Sequence, residues 1–220
     1  MMVEHYHNLS SLVLTASWVL IYILMIRRGL LDRSYGMPVV ALCLNISWEF
    51  IFTFLTSIAP AIRIFNGLFF IFDLGVLYTC YRFGREDFDW PLLKAWFRPI
   101  LAFCLTLSFA STYFFVRAFD DTYGGLAAAV IMPVYSAMLI AMLLRRNSVK
   151  GQSLYIGLAI LIGDSSGYIP TLYAHQMGWT STPLLWIHTG MIITLLLHVL
   201  YIALYCYVAR RDGVSLWKRL

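Results

Sequence analysis

The amino-acid sequence predicts an all-α polytopic membrane protein: a single domain over residues 1–220 with seven transmembrane helices, the N-terminus outside and the C-terminus cytoplasmic. Three observations carry this reading. The chain is 61% hydrophobic and only 12% charged, a balance outside the range of soluble domains. Apolar runs long enough to cross about 30 Å of hydrocarbon as helix recur seven times, at 9–26, 37–58, 64–81, 99–119, 123–144, 152–174 and 184–209. Finally, of the 16 Lys and Arg residues only Arg63 and Arg117 fall outside the loops after spans 1, 3, 5 and 7, so the excess of basic charge marks one side of the membrane.

Each span has a local justification. Span 1 ends in Arg27-Arg28 without a small-residue cleavage site, and MMVEHYHNLS lacks a basic leader, so it is expected to remain as a helix. Span 2 contains NISWEFIFTF, with a carboxylic acid, Glu49, near its centre. Span 3 carries Asn66, Phe69 and Asp73 at spacings of three and four. Spans 4 and 5 are apolar and hold no central acid. Span 6 contains GDSSGYIP: Asp164 lies beside Gly163, with Gly167 and Tyr168 one turn on, and the glycines admit a close helix neighbour while Pro170 removes a backbone bond. Span 7 places Thr194, His198, Tyr201 and Tyr205 along one face at spacings of four, three and four. The connections are short and leave no room for a soluble domain.

Composition also excludes functions. The formal charge of +5 is a topology signal rather than a nucleic-acid footprint, because all but two of the basic residues lie in loops on one side. Cys43, Cys80, Cys104 and Cys206 lie in different spans without Cys-x-x-Cys spacing, so free buried thiols are expected. No glycine-rich phosphate loop, zinc motif or Gly-x-Ser-x-Gly elbow occurs, and neither a metal nor a cofactor is expected. Glu86-Asp87-Phe88-Asp89, in a basic loop closed by Pro91, reads as solvated loop rather than an aspartate-rich metal site. Asp120-Asp121 beside Arg117 reads as a structural cluster at the outer surface.

The chemistry concentrates in three acids. Glu49, Asp73 and Asp164 each sit near the midpoint of their span, and at a rise of about 1.5 Å per residue that sets them at similar depth, where they could line one cavity. No central Lys or Arg neutralises them. An ionised carboxylate in hydrocarbon is expensive, so such acids face a protein interior and act there; a protonated acid in a dry cavity is equipped to be a general acid. Asn45, Trp48 and Phe52 share the broad stripe around Glu49, and Thr53 extends it. For His198, Tyr201 and Tyr205 the plain reading is interhelical hydrogen-bond packing.

At this point the sequence resembles a known family. The layout, the length and the motif Asn45-x-x-Trp48-Glu49-Phe50 are similar to the small integral membrane terpene cyclases of fungal and bacterial meroterpenoid and indole-terpenoid pathways. The resemblance implies an enzyme that folds a prenyl chain attached to an aromatic or indole head group and starts cyclisation by protonating a terminal epoxide or alkene, without metal or loss of diphosphate. It makes Glu49 the proton donor. It also implies a second acid in the last helix, where this chain has none and offers His198; Asp164 is the replacement candidate and Asp73 the next. The expected substrate contacts are Asn45, Trp48, Phe52, Phe69, Asp73, Tyr168, Trp186, His198 and Tyr201, because a migrating cation needs π faces, apolar walls and exclusion of water. The expected partners are a hydrophobic prenylated small molecule and membrane lipid, in a bacterial plasma membrane or the endoplasmic reticulum, with the oligomeric state open. A proton-coupled small-molecule transporter would use central acids equally well, although no inverted repeat is visible. A scaffold would need no acids, and a retinal photoreceptor is excluded because span 7 lacks a lysine.

Overall fold

Buried polar side chains and large apolar ones facing outward mark this bundle. Asp73 and His198 are fully buried, whereas Phe103 is 67% and Leu196 66% exposed, the inverse of a water-soluble protein. The computed structural model describes residues 2–180 and 182–220. Within them lie seven α-helices: α1 (Met2–Leu31), α2 (Val39–Phe54), α3 (Pro60–Phe83), α4 (Pro91–Ala118), α5 (Gly125–Arg146), α6 (Leu154–Gln176) and α7 (Leu184–Arg211), with a 3-10 turn at Gly84–Asp87. Five of them, all but α2 and α6, are long and apolar enough to cross a membrane.

Most helices outrun their apolar stretches, because flanking polar residues continue the backbone hydrogen-bond ladder. α2 does the reverse. The apolar run 37–58 yields only 16 helical residues, about 24 Å of rise. Pro60 starts α3 at its first turn, and proline disfavours helical backbone in the preceding residue, so the chain is extended at Ala59. The internal prolines Pro99, Pro133 and Pro170 interrupt none of α4, α5 or α6.

The helices form a ring. α3 packs on α1, α1 on α6, α6 on α7 and α7 on α5, while α2 lies against α3 and touches α5 to close the circuit; α4 packs on the outside of α2. The α1–α6 contact is the most extensive, and glycine allows close approach there: a Cβ at Gly163 would stand 3.0 Å from Ser17 Cβ. This lets Trp18 reach the residue next to Gly163, which is Asp164.

The loops after α1, α3 and α5 meet the C-terminal tail at one end of the bundle. Asp32 is paired with Arg28 and Arg219 and accepts from the Gly151 amide at 2.8 Å. Asp87 is not the solvated loop residue expected from sequence. Its side chain is buried between Arg145 (2.6 Å) and Arg146 (2.7 Å), and Arg146 also donates to Tyr35 O at 2.9 Å. Gly151, at φ +75°, is required there, since a Cβ would lie 2.6 Å from Tyr35 O. Asp87→Asn leaves the Arg146 guanidinium buried and unpaired. It is expected to cost about 3 kcal/mol, the low end for breaking a buried pair because Arg145 remains partly in water. Thermal unfolding in detergent micelles measures this; an unchanged midpoint would show the pair to be dispensable.

At the opposite end, Asp121 is a cap rather than a surface charge. Its two oxygens accept from the Leu126 and Ala127 amides at 3.2 and 2.8 Å, satisfying the first turn of α5. Burial raises its carboxyl above the usual range, against the opposing pull of those amides. The four cysteines are free; Cys43 and Cys80 are buried, while Cys104 and Cys206 are only partly so.

Candidate active site

Glu49 sits on the inner face of α2 because Asn45, one turn earlier, shares that face. From α1, Tyr22 donates its hydroxyl to Glu49 Oε1 at 2.7 Å. Asn45 Nδ2 donates to Tyr22 Oη at 2.7 Å, to Asp73 Oδ2 of α3 at 2.8 Å, and more weakly to Glu49 Oε1 at 3.3 Å. One amide thus ties two acids and a phenol from three helices. All four side chains are buried.

A second group forms across the ring. Asp164 of α6 is hydrogen-bonded by Trp18 of α1, and its Oδ2 lies 3.6 Å from His198 Nε2 of α7. His198 Nε2 is 2.7 Å from Ser136 Oγ of α5. Asp164 and Glu49 share no direct hydrogen bond. The acid joined to Glu49, through Asn45, is Asp73. Glycine packing sends Asp164 toward α1, and the α2–α3 hairpin carries Asp73 to Glu49.

An aromatic wall links the groups. Trp18 and Tyr22, one turn apart on α1, have ring centroids 5.7 Å apart; Tyr135 of α5 lies 6.0 Å from Trp18, and Phe69 and Phe72 of α3 lie 6.0 and 6.1 Å from Tyr22. Phe69 is the one aromatic from the sequence-based set that reaches the wall. Trp48 and Phe52 pack on each other with tilted rings 4.6 Å apart, in a separate apolar cluster against the Gly124 turn. Tyr168 hydrogen-bonds His188 in a groove of about 280 Å³ between α6 and α7. Trp186 is 51% exposed and stands apart from the acids. Tyr201 is buried but bonded to Gln152, which itself donates to Gly36 O at 3.1 Å, so it anchors α7 to the loops.

Sequence reading missed Trp18, Tyr22, Tyr135 and Ser136. Spans 1 and 5 hold no central acid and so drew no scrutiny, yet Trp18-x-x-x-Tyr22 is an amphipathic aromatic pair at one-turn spacing, a usable signal.

Several buried polar atoms in this interior have no protein partner: Glu49 Oε2, Asp73 Oδ1, Thr53 Oγ1 and Asn66 Nδ2 on the α2–α3 side, and Asp164 Oδ2, His198 Nδ1, Thr194 Oγ1 and Tyr135 Oη on the α5–α7 side. Each costs roughly 1–3 kcal/mol to bury unpaired, so their concentration makes this interior the candidate site.

Comparison with known proteins identifies the family. The family of Pyr4-like transmembrane terpene cyclases matches residues 2–211. Among individual relatives, the Pyr4-family terpene cyclase mfmH of Annulohypoxylon moriforme is 34% identical over 152 residues, 67% of this chain and 62% of that protein's length. Terpene cyclase dpasB of Apiospora sacchari is 24% identical over 96% of this chain and 84% of its own. Terpene cyclase pyr4 of Aspergillus fumigatus is 26% identical over 92% of this chain and 86% of its own. No solved structure matches the chain. With the match running through all seven helices, this chain belongs to the Pyr4-like transmembrane terpene cyclases.

Proposed function

We propose that this protein cyclises a prenyl chain borne on an aromatic or indole head group, with Glu49 as the acid that protonates a terminal epoxide or alkene. The observation that carries the reading is the asymmetry of Glu49. Its Oε1 takes the Tyr22 hydroxyl and the Asn45 amide, while Oε2, buried, has no protein partner. In the neutral acid the hydrogen belongs on the oxygen that accepts no donors, so Oε2 carries a proton free to leave. Asn45 and Tyr22 then stabilise the carboxylate left behind, since both donate to Oε1, which shares its charge.

For an epoxide the proton goes to oxygen, the C–O bond breaks with its electrons onto oxygen, and successive alkenes close rings onto the resulting cation. Trp18, Tyr22, Phe69 and Tyr135 offer π faces to that charge, and the buried interior keeps water away from it. Family membership favours this over the proton-coupled transporter that central acids alone would equally serve. Asp164 and His198 belong to a later stage of the same reaction, and Trp48, Phe52, Tyr168 and Trp186 support the bundle.

Membranes containing the protein, incubated with linear prenylated indoles and with their terminal epoxides, test the proposal by product analysis. Cyclised products isomeric with the substrate are expected. Disappearance of substrate without cyclised material would favour transport or another reaction.

We infer further that the loop end bearing Asp87, Arg145 and Arg146 faces the cytoplasm, since the basic residues gather there, and that the N-terminus lies on the other side. Cysteine substituted near Arg145 should resist an impermeant thiol reagent in sealed cells; ready labelling reverses the orientation.

A further inference from the structure

Protonation starts a cation but does not end one. A cyclisation that returns an isomer of its substrate must give back a proton at the last cation, so the site needs an acceptor as well as a donor. We propose that His198 Nδ1 is that acceptor, with Ser136 fixing its tautomer and Asp164 compensating the charge it gains; the inference rests on Glu49 being the donor.

The argument is one of hydrogen counting. Ser136 Oγ has a single hydrogen, and it donates to Met132 O at 2.8 Å, one turn back on α5. With that hydrogen on Met132 O, the same oxygen is an acceptor toward His198 Nε2, 2.7 Å away, and on this assignment Nε2 carries the ring hydrogen. A neutral imidazole then has its lone pair on Nδ1. That atom is buried and has no protein partner, in a side chain with no exposed surface. Asp164 Oδ2, 3.6 Å from Nε2, lies close enough to offset an imidazolium.

The arrangement separates the two ends of the reaction. Glu49 is set by α1, α2 and α3, and His198 by α5, α6 and α7, with Trp18 and Tyr22 lying between them. In the final step a C–H bond next to the cationic carbon breaks, its electron pair becomes the new alkene, and the proton moves to Nδ1. Transfer of that proton back to the Glu49 carboxylate between turnovers restores both groups, and no other reactant is consumed. Ser136 touches no reacting atom in this scheme and is a positioning residue.

Two measurements test the proposal. In nitrogen-15 histidine spectra of the protein in lipid nanodiscs, the signal that His198→Gln removes should show a hydrogen on Nε2 and a bare Nδ1; Ser136→Ala should mix the tautomers and Ser136→Thr should restore the original one. A hydrogen resident on Nδ1 in the unmodified protein overturns the assignment. In turnover with a linear terminal epoxide, loss of a positioned base should slow the last deprotonation by ~10². His198→Gln should then still consume substrate, while the original alkene gives way to alkene isomers and water-captured alcohols. Ser136→Ala shifts products the same way and carries the test if His198→Gln does not accumulate. An unchanged product ratio in either active variant sinks this proposal alone, whereas an unmodified protein that consumes no such substrate sinks the Glu49 reading and this one with it.

Discussion

Glu49→Gln is expected to lose on the order of 10² to 10⁴ in cyclisation rate, the usual contribution of a positioned general acid, while the protein still inserts and folds. The substitution preserves size, and the glutamine carbonyl can accept from Tyr22 and Asn45 as Oε1 does at 2.7 and 3.3 Å. What it removes is the transferable hydrogen on Oε2. The bundle should tolerate the change, since Oε2 has no protein partner to lose. Substrate depletion by membranes, normalised to protein abundance, is the measurement. Near-normal turnover by a folded variant would falsify the donor assignment and transfer attention to Asp73, the other acid on the same amide.

Asp73→Ala should lower the rate by ~10², through geometry rather than through loss of the donor. Asn45 holds its position by giving Nδ2 hydrogens to Asp73 Oδ2 and Tyr22 Oη at 2.8 and 2.7 Å. Without a carboxyl at residue 73 the first of these contacts is lost. Asn45 is then free to turn, and Tyr22 and Glu49 lose their common reference. Because these residues act as one device, Glu49→Gln combined with Asp73→Ala should be scarcely worse than Glu49→Gln alone. Additive losses in the double variant would mean that Asp73 contributes by a separate route, such as direct contact with substrate. Asp164→Asn, by contrast, lies outside this amide's hydrogen bonds, and its effect should appear in product identity more than in initiation.

The two groups of polar side chains differ in how plainly the sequence announced them. Glu49, Asp73 and Asp164 were visible because a carboxyl in the middle of an apolar run has no cheap explanation in hydrocarbon. Asn45 followed from helical spacing alone. Which acid stands beside which could not follow, since spacing orders residues along one helix and says nothing about rotation between helices. Here glycine decided it: Gly163 brings α6 against α1 and gives Asp164 to Trp18, leaving Asp73 for Asn45 and Glu49. Trp48 shows the same limit from the other side. It neighbours Glu49 in sequence, but one residue of helix is about 100° of rotation, and its ring packs on Phe52 and the Gly124 turn instead.

By itself, then, the sequence determined that this chain is a helical bundle built for hydrocarbon, with carboxylic acids in its interior and its basic charge concentrated in alternate loops. Those properties depend on composition and on periodicity along each segment, which are local. Only the tertiary structure decided that α2 stops after 16 residues, that Asp87 is a buried partner of Arg145 and Arg146, and that Tyr22, Trp18, Tyr135 and Ser136 belong with the acids. The last two are contacts between segments distant in the chain, fixed by close packing and by the cost of leaving a buried polar group unpaired, and neither force leaves a mark on the spacing within a single helix.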